Sequence, residues 1–169
     1  LVEIFLECGL PLASISLVHG HGEEAGAPLV RHPDVALVSF AGSPEVGREV
    51  GIACAAEEKR LCLDLGQRIV AIVLEDADLD LAAESVVGTG LAMAGQRWRG
   101  AARVFVQRKI AKDLTERLAA RTQALQLGDG MSGATDIGPI INETQMKRVH
   151  GHTRIGLRDG AKLICGGEP

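Results

Sequence analysis

The chain is poor in aromatic residues: Phe5, Phe40, Trp98 and Phe105 are the whole set. Its basic residues are scattered, and the net charge is −4. A nucleic-acid surface needs clustered cations and stacking platforms, so nucleic acid is not expected as a partner. No apolar run approaches the roughly 20 residues that a membrane helix requires, so no membrane partner is expected either. The four cysteines (Cys8, Cys54, Cys62 and Cys165) never form Cys-x-x-Cys, which removes zinc and thioredoxin-type readings. No signal peptide is apparent, so isolated reduced thiols and a cytoplasmic location are expected. His19-x-His21 has no further ligand at metal spacing, which leaves two loop histidines and no expected metal site.

What is present suits a packed α/β protein. The hydrophobic fraction of 46% over 169 residues is enough for a core that buries roughly 70% of the unfolded surface. The chain opens at Leu1-Val2-Glu3-Ile4-Phe5, already inside an amphipathic pattern, and stops at Gly167-Glu168-Pro169. Those ends are expected of an internal slice of a longer protein.

Element signals alternate along the chain. Leu1 to Cys8 reads as a helix tail closed by Gly9 and Pro11. Ser14 to Val18 reads as a strand, followed by a His-Gly loop and a short helix reaching Arg31. Ala36 to Phe40 is a second strand. Ser43, Pro44 and Glu45 then start a helix to about Glu57 through a side-chain cap, a preset φ and a favourable charge. Arg60 to Asp64 is a third strand. Strand, helix, strand, helix, strand with short connections predicts right-handed crossovers and a parallel sheet.

Beyond Gly66 the pattern resumes. Ile69 to Leu74 is an apolar run suited to a buried strand. Asp78 caps a helix to about Met93. Ala102 to Val106 is a strand, Ile110 to Leu125 a helix, and 128–136 a glycine-rich loop. Asn142 to about Asp159 is a helix and Ala161 to Cys165 a strand. A domain boundary is expected near Gly66, with a single α/β domain as the alternative.

Several segments carry chemistry. Phe40-Ala41-Gly42-Ser43 ends a parallel strand and opens a helix whose free N–H groups favour a phosphate; it also reads as an ordinary capped helix. Gly22 and Gly26 form G-x-x-x-G at the first turn, which is not the G-x-G-x-x-G fingerprint. Asp64 stands at the C-terminal end of a parallel strand, where ligands of open α/β sheets bind. It reads either as a general base or as a solvated strand end. Cys62 shares its face by period two, as a substitute nucleophile or, by the stronger reading, a small buried core thiol. The pairs Glu23-Glu24 and Glu57-Glu58 read as solvated faces.

Taken in order, these segments resemble the aldehyde dehydrogenase superfamily. Phe40-Ala41-Gly42-Ser43-Pro44-Glu45-Val46-Gly47 is similar to its F-T-G-S-x-x-x-G cofactor turn. Leu63-Asp64-Leu65-Gly66 is similar to its L-E-L-G-G, and Asp76-Ala77-Asp78-Leu79-Asp80 to its D-A-D-x-D helix start. Gly138-Pro139 with Glu143-Thr144-Gln145, and Ala161-Lys162-Leu163 through Gly166-Gly167, resemble later family segments. The resemblance covers essentially the whole chain.

The resemblance implies a parallel-sheet, Rossmann-like cofactor-binding part over residues 1–67. An incomplete α/β catalytic-domain part follows over residues 68–169. It implies NAD or NADP as cofactor, a small-molecule aldehyde as substrate and a homo-oligomeric parent. A thiolate attacks the aldehyde, hydride passes to the cofactor and a carboxylate activates water.

Residue roles follow from the same resemblance. Gly22, Gly26 and Val46 belong to the adenine side, Gly42 and Ser43 to the pyrophosphate. Leu65 and Gly66 lie near the nicotinamide, Gln145 and Arg148 near its ribose, and Phe40 beside the site. Asp64 holds the position of the water-activating Glu and is one methylene shorter. Gln67 and Arg68 replace the second Gly and following Lys of the family strand. In Ala94-Gly95-Gln96-Arg97-Trp98-Arg99-Gly100, Trp98 holds the position of the nucleophilic Cys. An impaired or inactive member of the family is therefore expected. The alternatives are a non-catalytic binding or structural subunit, a fragment without function, and an active enzyme with a displaced nucleophile.

Overall fold

The computed structural model describes residues 1–66, 69–97 and 100–169. The sequence expectations for Gln67, Arg68, Trp98 and Arg99 lie outside the described residues. The chain divides into two compact units, Leu1–Gly66 and Gln67–Pro169. Both are α/β, and each is built on a pair of parallel strands, as the sequence pattern predicts.

The first unit begins with α1 (Val2–Glu7). A π-helical turn at Gly22–Gly26 continues directly into α2 (Ala27–Arg31). β1 (Leu37–Gly42), α3 (Pro44–Ala56) and β2 (Arg60–Leu65) form one β-α-β crossover. β1 pairs with β2 in register from Leu37↔Arg60 to Gly42↔Leu65. The start of α3 follows its sequence signals: the Val46 N–H donates to Ser43 Oγ at 3.3 Å, and Pro44 occupies the first turn. The Lys59 ammonium donates to the carbonyls of Val30 (2.7 Å) and His32 (2.6 Å). That lysine ties the end of α2 to the start of β2.

α3 buries Gly47, Val50 and Cys54, spaced i, i+3, i+7 along one stripe. At Gly47 the helix comes very close to the sheet: a Cβ there would sit 2.5 Å from Leu65 Cδ2. Two expectations fail in this unit. Ser14 to Val18 is not a strand; Ile15 has extended dihedrals, but nothing among the described residues pairs with it, and a strand exists only through a ladder. Cys62 is exposed and the buried thiol is Cys54. The alternation along β1 leaves Leu37, Ser39 and Ala41 exposed, and Cys62, paired with Ser39, shares that open face.

The second unit contains β3 (Ile69–Val73), α4 (Leu79–Gly90), β4 (Ala101–Val106), α5 (Ala111–Ala124) and α6 (Glu143–Arg158). β3 and β4 are parallel, with a register shift between Ile69 and Val70. Val73, Ala83 and Leu114 form the buried core, joined by Val104, Val106 and Leu118. Asp78 Oδ1 caps α4 by accepting from Asp80 N (2.9 Å) and Leu81 N (3.1 Å). Asn142 Oδ1 caps α6 by accepting from Gln145 N at 2.8 Å.

Three details differ from the sequence pattern. β3 is covered on one face: Val70 is 43% and Ile72 72% exposed. α4 ends at Gly90 rather than near Met93, because Gly88 and Gly90 weaken the last turn and Met93 and Ala94 turn left-handed. Residues 161–165 make no ladder among the described residues, so the expected last strand is absent.

Gly47→Ala forces a methyl group into Leu65 and is expected to cost about 1–3 kcal/mol, read by urea denaturation. Leu65→Val withdraws the δ carbons and should recover part of that loss in the double variant. A Gly47→Ala chain as stable as its parent would contradict the close contact.

Candidate functional site

In the first unit, sequence-separated residues meet around one cavity of about 200 Å³. Gly22 and Gly26 come from the π-helical turn, Phe40 from β1 and Val46 from α3. Four of the residues singled out in the sequence therefore share one wall system. The helices add residues that motif reading missed: Ala27, Val30 and Arg31 from α2, and Glu49, Val50 and Ala53 from α3. Their signal was the helical spacing of Val46, Val50 and Ala53, which puts them on one face.

The strand ends form the neighbouring cluster. The Gly66 N–H donates to Gly42 O at 2.9 Å, so the C-terminal ends of β1 and β2 lie side by side. Gly42 has no room for a side chain, since a Cβ would stand 2.5 Å from Phe40 Cζ. That contact lays the phenyl ring along the strand end. Ser43 is exposed, and its Oγ accepts from Val46 N, with no acceptor for its O–H among the described residues. Asp64 pairs with Ala41 and is exposed, on the open face with Cys62.

Gln145 and Arg148 lie in the second unit, in the first half of α6. Gln145 is half-buried and Arg148 exposed. The structure thus gathers Gly22, Gly26, Phe40, Gly42, Ser43, Val46, Leu65 and Gly66 in the first unit, while Gln145 and Arg148 belong to the second.

The turn that leads to residue 98 is unusual. Met93 (φ 55°, ψ 37°) and Ala94 (φ 57°, ψ 36°) are both left-handed, and Gly95 follows at φ 72°. Left-handed backbone costs an L-residue roughly 1–2 kcal/mol, and such strain clusters at functional sites. Gln96 closes the turn, with its Nε2 donating to Met93 O at 2.9 Å and its Oε1 accepting from Ile141 N at 2.9 Å.

A model of the aldehyde dehydrogenase family matches residues 1–169. The chain belongs to the aldehyde dehydrogenase family. It is 40% identical to a phenylacetaldehyde dehydrogenase of Pseudomonas fluorescens over 99% of this chain and 33% of that protein. Among solved structures it is similar to an NAD-dependent aldehyde dehydrogenase from Sinorhizobium meliloti, with TM-score 0.92, 37% identity, and coverage of 98% of this chain and 33% of that one. It is likewise similar to a betaine aldehyde dehydrogenase from Staphylococcus aureus in complex with NAD+, with TM-score 0.90, 30% identity, and coverage of 99% and 33%. The chain spans about a third of the length of the aldehyde dehydrogenases it matches.

The left-handed turn in this family member generates a direct test. Met93 is 70% exposed, so little packing is lost on substitution, and Asn tolerates the conformation better. Met93→Asn is expected to stabilise the chain by about 1 kcal/mol, and Met93→Val to destabilise it, both read by chemical denaturation. The reverse order would refute strain at this position.

Proposed function

We propose that this chain binds NAD or NADP through its first unit and does not itself oxidise aldehydes. The observation that carries the reading is the cavity shared by Gly22, Gly26, Phe40 and Val46. Its dimensions and wall chemistry fit the adenine end of a dinucleotide. Ala27, Val30, Val50 and Ala53 supply apolar surface for a planar ring, and Glu23, Arg31 and Glu49 supply polar partners. Beside it, α3 offers a helix N-terminus and the exposed Ser43 hydroxyl to a pyrophosphate. Leu65 and Gly66 present backbone for the nicotinamide end. Gln145 and Arg148 are assigned to its ribose on the family resemblance.

In this reading residues 1–67 are a partial dinucleotide-binding domain and residues 68–169 a partial catalytic domain. The dinucleotide, when bound, supplies the hydride acceptor of the family reaction. Trp98 holds the position of the attacking thiol, and an indole ring has no nucleophilic group to replace it. Asp64, one methylene short of the family Glu, retains a solvent-facing carboxylate. The whole protein is read as a cytoplasmic, non-catalytic homo-oligomer descended from an enzyme for small aldehydes. No helix among the described residues is long and apolar enough to cross a membrane.

Binding to the native state must stabilise it, by about 2.7 kcal/mol at a ligand concentration 100 times Kd. The melting temperature of the chain is expected to rise with NAD or NADP. Val46→Trp, which fills the cavity from a partly exposed position, should abolish that rise while leaving the circular dichroism intact. Equal melting with and without both cofactors would sink the cofactor reading.

One observation favours a second reading, a displaced nucleophile. Cys62 is exposed on the same open face as Asp64. Under this reading a longer parent protein oxidises aldehydes with NAD, and Cys62→Ala removes the activity. Under the first reading the parent is inactive before the substitution. Activity that survived Cys62→Ala would refute the displaced-nucleophile reading, and activity lost with it would refute the first.

A further inference from the structure

Gln96 lies at the surface, yet both ends of its carboxamide are engaged. Nε2 donates to Met93 O at 2.9 Å and reaches Pro139 O at 3.5 Å, while Oε1 accepts from Ile141 N at 2.9 Å. Met93 O also accepts from the backbone N–H of Gln96 at 3.1 Å, and Gly95 N donates to Leu91 O at 3.2 Å. The left-handed turn is thus pinned from within and tied to a segment more than forty residues away in the chain.

An exposed glutamine gives up considerable rotamer entropy to hold one geometry. Simple solvation would satisfy the same amide at no such cost, so the ordered side chain has a use. Its far anchor is informative: Ile141 immediately precedes Asn142, whose side chain caps α6 at Gln145 N. One continuous path therefore runs from the strained 93–95 turn through Gln96 and Ile141 to the first turn of α6.

We propose that Gln96 is a positioning residue, whose carboxamide sets the geometry of the 93–97 turn, and so the approach to position 98, against the start of α6. What position 98 and Gln145 do chemically rests on the reading proposed above; the link itself does not. Strain in the turn becomes useful in this light. A turn that would relax if left alone is held by a side chain anchored on the segment that leads into the helix carrying Gln145 and Arg148.

The test uses the 169-residue chain without cofactor. Trp98, its only tryptophan, follows Gln96 by two residues and serves as a spectroscopic reporter. In Gln96→Ala the Ile141 amide is expected to exchange about fivefold faster, the factor carried by one net hydrogen bond, and the Trp98 emission maximum is expected to move. Gln107→Ala is the control, because Gln107 Oε1 accepts from Glu75 N in a different loop. It should leave both readouts unchanged even if it lowers the melting temperature equally. Gln96→Glu keeps the acceptor for Ile141 and removes the donor to Met93. It should restore slow exchange at Ile141 without restoring the parental emission.

Unchanged Ile141 exchange and emission in Gln96→Ala would overturn the proposal. So would a Gln107→Ala chain that moves both readouts as far. If Gln96→Ala fails to fold, fast Ile141 exchange in a folded Gln96→Glu chain would overturn it as well. Absence of NAD-induced stabilisation would strike the cofactor reading and leave these readouts as they are, so the two failures are distinguishable.

Discussion

The close seating of α3 on the β1–β2 pair is the constraint on which the first unit depends. A helix normally stands off a sheet by the size of the side chains between them. Here Gly47 removes one, and Leu65 fills the space a Cβ would occupy. The helix start is held at the same place, because Ser43 caps it directly after β1 ends. Proximity and capping together turn Val46, Val50 and Ala53 toward the π-helical turn and α2. The cavity is what remains between elements that are short, small-walled and fixed at their ends.

Phe40 shows how one residue serves both packing and site. Its ring lies where a Gly42 side chain would be, so the strand end stays narrow and the cavity gains an aromatic wall. Lys59 plays the opposite part at the far end of the unit. It satisfies two carbonyls at the end of α2 that would otherwise rely on water.

The second unit combines a small regular core with a strained turn. Asp78 and Asn142 start their helices by the same side-chain capping as Ser43. Among the described residues of this unit, the left-handed residues other than glycine are Met93 and Ala94, with Gly95 following in the same region. Family membership is spread over motifs along the whole chain.

Local signals were legible wherever the causes are local. Ser43-Pro44, Asp78 and Asn142 announced their helix starts because capping involves residues two or three apart, and the β-α-β order followed from alternating periods. The β1–β2 register, the exposure of Cys62 and the missing strands at 14–18 and 161–165 were not legible. Each depends on whether a neighbour is present to pair or to cover. The motif glycines and Val46 were readable as candidates, but Glu49, Val50 and Ala53 became cavity walls only through the approach that Gly47 permits. Likewise Gln96 is an ordinary polar loop residue in the sequence. Its two-ended hold on Met93 and Ile141 arises from a contact across forty-five positions, a separation no local pattern encodes. Family, element order and helix caps are thus properties of the amino-acid order itself. Faces, cavity and clamp are products of packing, because burial and long-range hydrogen bonds exist only once distant segments meet.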